Sequence, residues 1–250
     1  MKRKLIGAGG LAIAAIGVLI SSAFAHPPYD VEVGGSTATA DHLFFGTSTP
    51  AGIDFSVDHL GTITNMDCGD VNVEGKVHAG LNRNNPIATI MPVTRVNTPE
   101  TFHGLDWKNC RGPAGLAMTV QPTLNWELRA SGPATAANTD VIAGQITGAG
   151  GGLLTARVYA TAAPGACDFT VSGVADGSFD EATQALTVNE TGYTGNLTIT
   201  SIGSGGAANC FGLVGVGDSA DFQGVFDIGA DAVGNDKDEI TVPLPVYLSE

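Results

Sequence analysis

Four cysteines, at positions 68, 110, 167 and 210, constrain this chain more than any other feature, because they recur in a matched setting. Asn109–Gly115 reads NCRGPAG and Asn209–Gly215 reads NCFGLVG, so N-C-x-G-x-x-G appears twice, one hundred residues apart. Upstream, CGDVNVEGKV from Cys68 has a counterpart in CDFTVSGVADG from Cys167. Four cysteines allow three pairings. The spacing selects one, since Cys68 to Cys110 is 42 residues and Cys167 to Cys210 is 43. Closing a loop of that length restricts the unfolded chain by about 4 kcal/mol in the loop-entropy model. A zinc site would need closely spaced ligands, and no C-x-x-C occurs. A phosphate cradle at NCFGLVG would need a helix after it and basic neighbours, whereas Asp218 follows, so its glycines read as turn residues taking positive φ.

A repeat near one hundred residues suits duplicated sheets better than a solenoid. With 35 Gly and only 11 Lys plus Arg, the chain lacks the residues of long charged helices. Its apolar residues alternate instead: Ile53, Phe55 and Val57 against Asp54, Ser56 and Asp58; Leu124, Trp126 and Leu128 against Asn125, Glu127 and Arg129; Phe222, Phe226 and Ile228 against Asp221, Gln223 and Asp227. The expected fold is all-β: two tandem antiparallel β-sandwich-like lobes, each with one disulfide, or alternatively one large fused sandwich. The first lobe would span 26–147 and the second 148–250, with the seam in TGAGGG (147–152) or in SGPATAAN (131–138). ETGYTGN reads as the tip of an exposed hairpin over 186–200, flanked by glycosylation sequons at Asn189 and Asn196. In the last segment Ile240, Val242, Leu244, Val246 and Leu248 share one face, with Pro243 and Pro245 on the other. Proline removes ladder donors, so this strand belongs at an edge, or detaches to add to a neighbouring molecule.

The N-terminus reads as an export signal over 1–25: Lys2, Arg3 and Lys4, an apolar run from Leu5 to Ile20, then small residues Ala23 and Ala25 before the expected cleavage. Cleavage would strip three of the 11 basic residues and leave all 25 acidic ones. Such an acidic chain is a poor partner for nucleic acid, whose binding depends on Lys and Arg displacing counterions. No later apolar run reaches the roughly 18 residues of a membrane helix. Secretion, or association with the cell envelope, is the expected location, and paired cysteines fit an oxidising compartment.

Chemistry is harder to find. The five histidines, His26, His42, His59, His78 and His103, all fall in the first half, at spacings that match no metal motif, and read as surface imidazoles. There is no G-x-S-x-G elbow, and disulfides would consume every thiol. Nothing calls for a cofactor. DIGADAVGNDKDE supplies weak calcium candidates, Asp231, Asp236, Asp238 and Glu239, besides Asp227, without the spacing of a calcium loop; an acidic linker is the plainer reading. LFFG at 43–46 breaks alternation, and Phe44, Phe45, Phe102 and Trp107 could line an apolar ligand face. Trp126 reads as core, and Trp107 as packing on the first disulfide.

Cys210, Gly212, Leu213, Gly217, Asp218, Ala220 and Phe222 form a C-x-G-L-x-x-x-G-D-x-A-x-F pattern that resembles a group of secreted actinobacterial proteins. That resemblance implies a signal peptide, a β-rich fold and paired cysteines, and no activity. NWEL at 125–128 loosely resembles secreted alkane-oxidation activator-like proteins, although Asn125 stands where those carry proline. The function expected from all this is non-enzymatic surface interaction or adhesion, through cell-surface or protein partners or through self-association by the C-terminal strand. Carriage of a small apolar ligand is the alternative, and a hydrolase with acidic catalytic residues a third.

Overall fold

The structure is a computed structural model that describes residues 28–90, 104–163, 165–203, 206–231 and 243–250. The expected export signal over 1–25, His26, Phe102, His103, Asp236, Asp238, Glu239, Ile240 and Val242 lie outside the described residues. The strands are β1 (Tyr29–Val33), β2 (Ala40–His59), β3 (Thr62–Arg83), β4 (Ala88–Ile90), β5 (Leu105–Arg111), β6 (Met118–Pro122), β7 (Trp126–Ala130) and β8 (Val141–Gly148). They continue with β9 (Leu154–Ala160), β10 (Asp168–Gly173), β11 (Ala175–Asp180), β12 (Ala185–Glu190), β13 (Leu197–Ile202), β14 (Ser219–Ala230) and β15 (Val246–Ser249). The all-β expectation holds: apart from short 3₁₀ turns, the described residues form strands and loops.

Pairing resolves these pieces into eight long staves. Along one edge of β3, Asp67–Val73 pairs with β5 and Gly75–Val77 with β4, so β4 and β5 are two parts of one stave. β6 with β7 faces β9 with β8, and that stave faces β10 with β11. β12 and β13 pair with β11 and β10 on one side and with β14 on the other. β14 then pairs with β2 from Ser219↔Asp58 to Ala230↔Phe44, and β2 with β3, which closes the ring. The result is an up-and-down antiparallel barrel of eight strands, with β1 and β15 as an extra ribbon against the end of β3. Short connections favour this order, because antiparallel neighbours need only hairpins.

The sandwich expectation is therefore corrected in form. Both halves of the chain enter one closed sheet, and the expected boundary at Thr147/Gly148 falls at the end of β8, inside the fifth of the eight staves. TGAGGG is a kink within a stave: the buried Glu127 carboxylate accepts from Gly150 N (2.7 Å) and Gly151 N (3.1 Å) there. The alternative seam, 131–138, lies in the connection from the fourth stave to the fifth. ETGYTGN is not a hairpin tip either, because β12 and β13 do not pair with each other but follow one another along the same stave. Asp221 accepts from Gly192 N and Tyr193 N, and Glu190 from Thr194 and Asn196, which pins the bulge to the wall.

Irregularities of this kind occur at mid-height in several staves. β2 slips register between Thr47 and Ile53, and β14 between Gly224 and Phe226. The extra residues lie in β2 and shift which of its parities faces inward, whereas β14 pairs with β12 without a slip and keeps Phe222, Phe226 and Ile228 inward. In β2, Phe44 faces in above the slip, and Ile53 and Val57 below. Glycines at the crowded inner wall let neighbouring staves approach. A Cβ on Gly75 would lie 2.0 Å from Thr89 O, and one on Gly173 (φ +154°) would lie 1.8 Å from Asn196 O.

Candidate functional site

The two faces of the barrel differ in kind. Outward positions carry Asp54, Asn65, Asp67, Asn72, Lys76, Gln121, Gln145, Asn189, Gln223 and Asp227, whereas inward ones carry Val57, Met66, Val73, Ile146, Val158, Phe169, Ile199 and Phe226, all buried. A membrane barrel needs an apolar outer band; this wall has the opposite polarity. Among the described residues no helix is long and apolar enough to cross a membrane.

The lumen is not completely filled. An upper cavity of about 80 Å³ is lined by Phe44, Val77, Ala88, Ile142, Phe179, Leu186, Val246 and Leu248. A lower one of about 50 Å³ is lined by Ile53, Phe55, Met66, the Cys68–Cys110 bridge, Trp107, Val158, Val171 and Phe222. Between them lies a gap of about 10 Å³ beside Val73, Leu105, Trp107, Trp126, Phe222 and Phe226. Eight strands make an interior just wide enough to be packed by side chains or to hold one small ligand.

Of the expected apolar face, Phe44 and Trp107 do reach the lumen, one in each cavity. Phe45 does not: it lies on the outer face, where its ring would meet a Cβ on Gly229. Trp126 is core, as its alternation indicated, and its Nε1 donates to Thr155 O at 3.4 Å. Trp107 stacks at a tilt on Phe222, ring centroids 6.0 Å apart. Its Nε1 is buried and has no acceptor among the described residues.

The ends are closed differently. Below, both disulfides form in the expected pairing. Cys68 faces Cys110 across β3 and β5 within the lumen, while Cys167–Cys210 ties the start of β10 to the loop between β13 and β14. Cys210, Phe211 and Gly212 all take positive φ, so NCFGLVG is a turn, tied down by the Asn209 amide, which accepts from Asp168 N (2.7 Å) and donates to Asp168 O. His59 Nδ1 meets Asp218 Oδ2 at 2.8 Å and joins this loop to the β2–β3 turn.

Above, β15 lies over the mouth with Val246 and Leu248 turned into the cavity. Among the described residues it is an edge strand, paired with β1. Its other edge is occupied by side chains. Gln184 accepts from Val246 N (2.7 Å) and donates to Val246 O (3.0 Å), and Glu181 accepts from Leu248 N (2.5 Å). Addition of a second chain there would first have to displace both. Burial raises the Glu181 carboxyl above its ordinary range, against the N–H groups of Leu248 and Asp140, which oppose it. Tyr29, whose hydroxyl donates to Gly132 O at 2.8 Å, is pushed up to about 12 by burial and the nearby Glu250 charge. Nothing in the sequence distinguished Glu181 or Gln184 from other polar loop residues.

The three described histidines, His42, His59 and His78, are not free surface groups. His42 is buried with Nδ1 2.9 Å from Asp231 O, and His78 joins Asp41 (2.8 Å) and Thr89 (3.0 Å) across three staves, which holds the Asp41 carboxyl below its ordinary range. Among the described residues no three His, Cys, Asp or Glu are grouped to hold a metal ion. Asp227 faces outward from β14 beside Thr47, and the buried Asp231 is the one calcium candidate of the four that is described. Comparison with protein-family models, curated proteins and solved structures returns no match to this chain.

Proposed function

We propose that this protein is an exported, non-enzymatic binder of a small apolar molecule, held in the lumen of its barrel. The observation that carries this reading is the inverted use of the wall: a polar exterior around an interior that keeps two apolar cavities of about 80 and 50 Å³ in line. Apolar cavities of this kind stay dry and admit apolar guests; one of roughly 150 Å³ holds benzene. Size thus restricts the guest to a slender or small molecule. The export signal, the two disulfides and the resemblance of 209–228 to secreted proteins support action outside the cytoplasm. The matched N-C-x-G-x-x-G loops support a further reading, that the barrel arose by duplication of a four-stave unit: Cys68–Cys110 joins the second and third staves of the first half, and Cys167–Cys210 ties the second stave of the other half to the loop after its third.

Native mass spectrometry of protein taken from its producing cells, without organic solvent, tests the proposal. A retained apolar molecule is expected, and it should be lost in Ala88→Phe, which fills the upper cavity from the buried Ala88. Protein that carries nothing, and that binds no small hydrocarbon when titrated, would end this reading.

Surface attachment is a second reading, favoured by the lower rim. Leu60 is 91% exposed, Phe211 57% and Val216 61%, and the first two also have positive φ. Leu60 occupies the first position of a tight Leu60-Gly61 turn, where asparagine is the cheaper residue. Two strained apolar side chains at one end of the barrel support selection for contact rather than for stability. Leu60→Asn should then stabilise the fold while weakening attachment to cells or envelope fractions; unchanged attachment would sink this reading.

A further inference from the structure

The side chains that line the lower cavity are apolar apart from those of Asp67 and Arg111. Trp107 lines it from β5, opposite Val71 on β3, and its Nε1–H is buried without an acceptor among the described residues. Trp126, across the central gap, has its own acceptor in Thr155 O. An unpaired buried donor weighs against the folded state by a factor on the order of ten or more. A trapped water is a poor remedy, because it needs two to four polar partners and, with Asp67 and Arg111 both exposed, this cavity offers one.

We propose that Trp107 is the polar anchor of the lumen, its Nε1–H donating to a single neutral oxygen, of the ketone, ester or ether kind, on an otherwise apolar ligand. The body of the ligand occupies the lower cavity and the gap beside Phe222 and Phe226. An ionised acceptor is disfavoured, because a charge removed from water needs a partner charge or several donors. Asp67 and Arg111, which border the same cavity, are both exposed and alternate with the inward Cys68 and Cys110. This inference rests on the lumen-binding reading and specifies its ligand class.

The test uses the full chain with its disulfides intact and a matched pair of small probes, acetone and 2-methylpropene, which differ in carbonyl oxygen against methylene. Affinities are measured for the wild type and Trp107→Phe, and the indole N–H resonances are followed during titration. The ketone should lose about ten-fold in affinity relative to the alkene on Trp107→Phe. The Trp107 indole proton should move downfield with the ketone and not with the alkene. Binding of both probes with an unchanged ratio and an unmoved Trp107 resonance would overturn the anchor and leave lumen binding standing. Failure of both probes to bind would remove both. Should Trp107→Phe not fold, the wild-type resonance, assigned through Trp126→Phe, carries the same decision.

Discussion

Replacing Gly75 by alanine and Gly224 by alanine should give different results, although both glycines lie within long strands. In an ordinary strand either change would stabilise, since alanine restricts the unfolded chain by about 0.4–1 kcal/mol relative to glycine. A Cβ on Gly75, however, would lie 2.0 Å from Thr89 O and 2.9 Å from Ile90 Cα, both backbone atoms of the adjacent stave. Relief requires β3 and β4 to separate by about 1 Å where strands ordinarily stand about 4.8 Å apart, which breaks the Gly75↔Ile90 pairing in a strand only three residues long. Overpacking of this kind costs about 1–3 kcal/mol, and the rigid neighbour argues for the upper end. At about 2–4 °C per kcal/mol for a chain of this size, Gly75→Ala should melt about 6–12 °C lower. A Cβ on Gly224 would instead meet Ile53 Cδ1 at 2.0 Å, the free end of a side chain that can change rotamer beside a cavity. Its cost should stay within about 1 kcal/mol. Thermal and urea melts of the two variants measure the difference, and hydrogen exchange at Ala88–Ile90 locates it. Equal stabilities, or a stabilised Gly75→Ala, would refute the account of why these staves carry glycine on the inner wall.

Other expectations concern the ends of the barrel. Removing the lower tie with Cys167→Ala and Cys210→Ala should cost about 4 kcal/mol in a denaturant melt, by release of a loop of 43 residues; a cost below about 1 kcal/mol would mean the loop is held without it. The folded protein holds the Glu181 proton to higher pH than the unfolded chain does, so this group's contribution is full below the ordinary value of 4.5 and declines as pH rises through the raised one. Asp41 and Asp168, lowered by His78 and Arg157, act in the other direction, with stability present above 3.8 and lost as pH falls through their lowered values. Glu181→Gln should therefore flatten the decline above about pH 4.5 in melts across pH while leaving the acid limb unchanged. Deleting residues 246–250 removes Val246 and Leu248 from the upper mouth, and should lower the melting temperature and raise binding of an apolar fluorescent dye; unaltered dye binding would show that β15 does not cover the lumen.

The cysteine pairing and the all-β class were legible in the residues alone. These are local or pairwise properties: two matched spacings select Cys68–Cys110 and Cys167–Cys210, and period-two alternation at Ile53–Asp58 marks a strand with one buried face. The alternation at 124–129 failed in part, because Leu124 precedes β7 and lies exposed while Glu127 is buried against the Gly150–Gly151 kink. Alternation does not say which edges meet. Two packed sheets and one closed barrel bury the same inward residues, and the choice between them rests on the ladder from Ser219↔Asp58 to Ala230↔Phe44 that joins the last stave to the first. For the same reason Phe44 and Phe45, adjacent in sequence, part company, one to the lumen and one to the outer face. Closure also fixed what no motif announced: the Glu181 and Gln184 side chains on the edge of β15, and the buried indole N–H of Trp107 without an acceptor among the described residues. Each depends on chain segments far apart in sequence meeting in space, and an antiparallel ring brings them together only once all eight staves are in place.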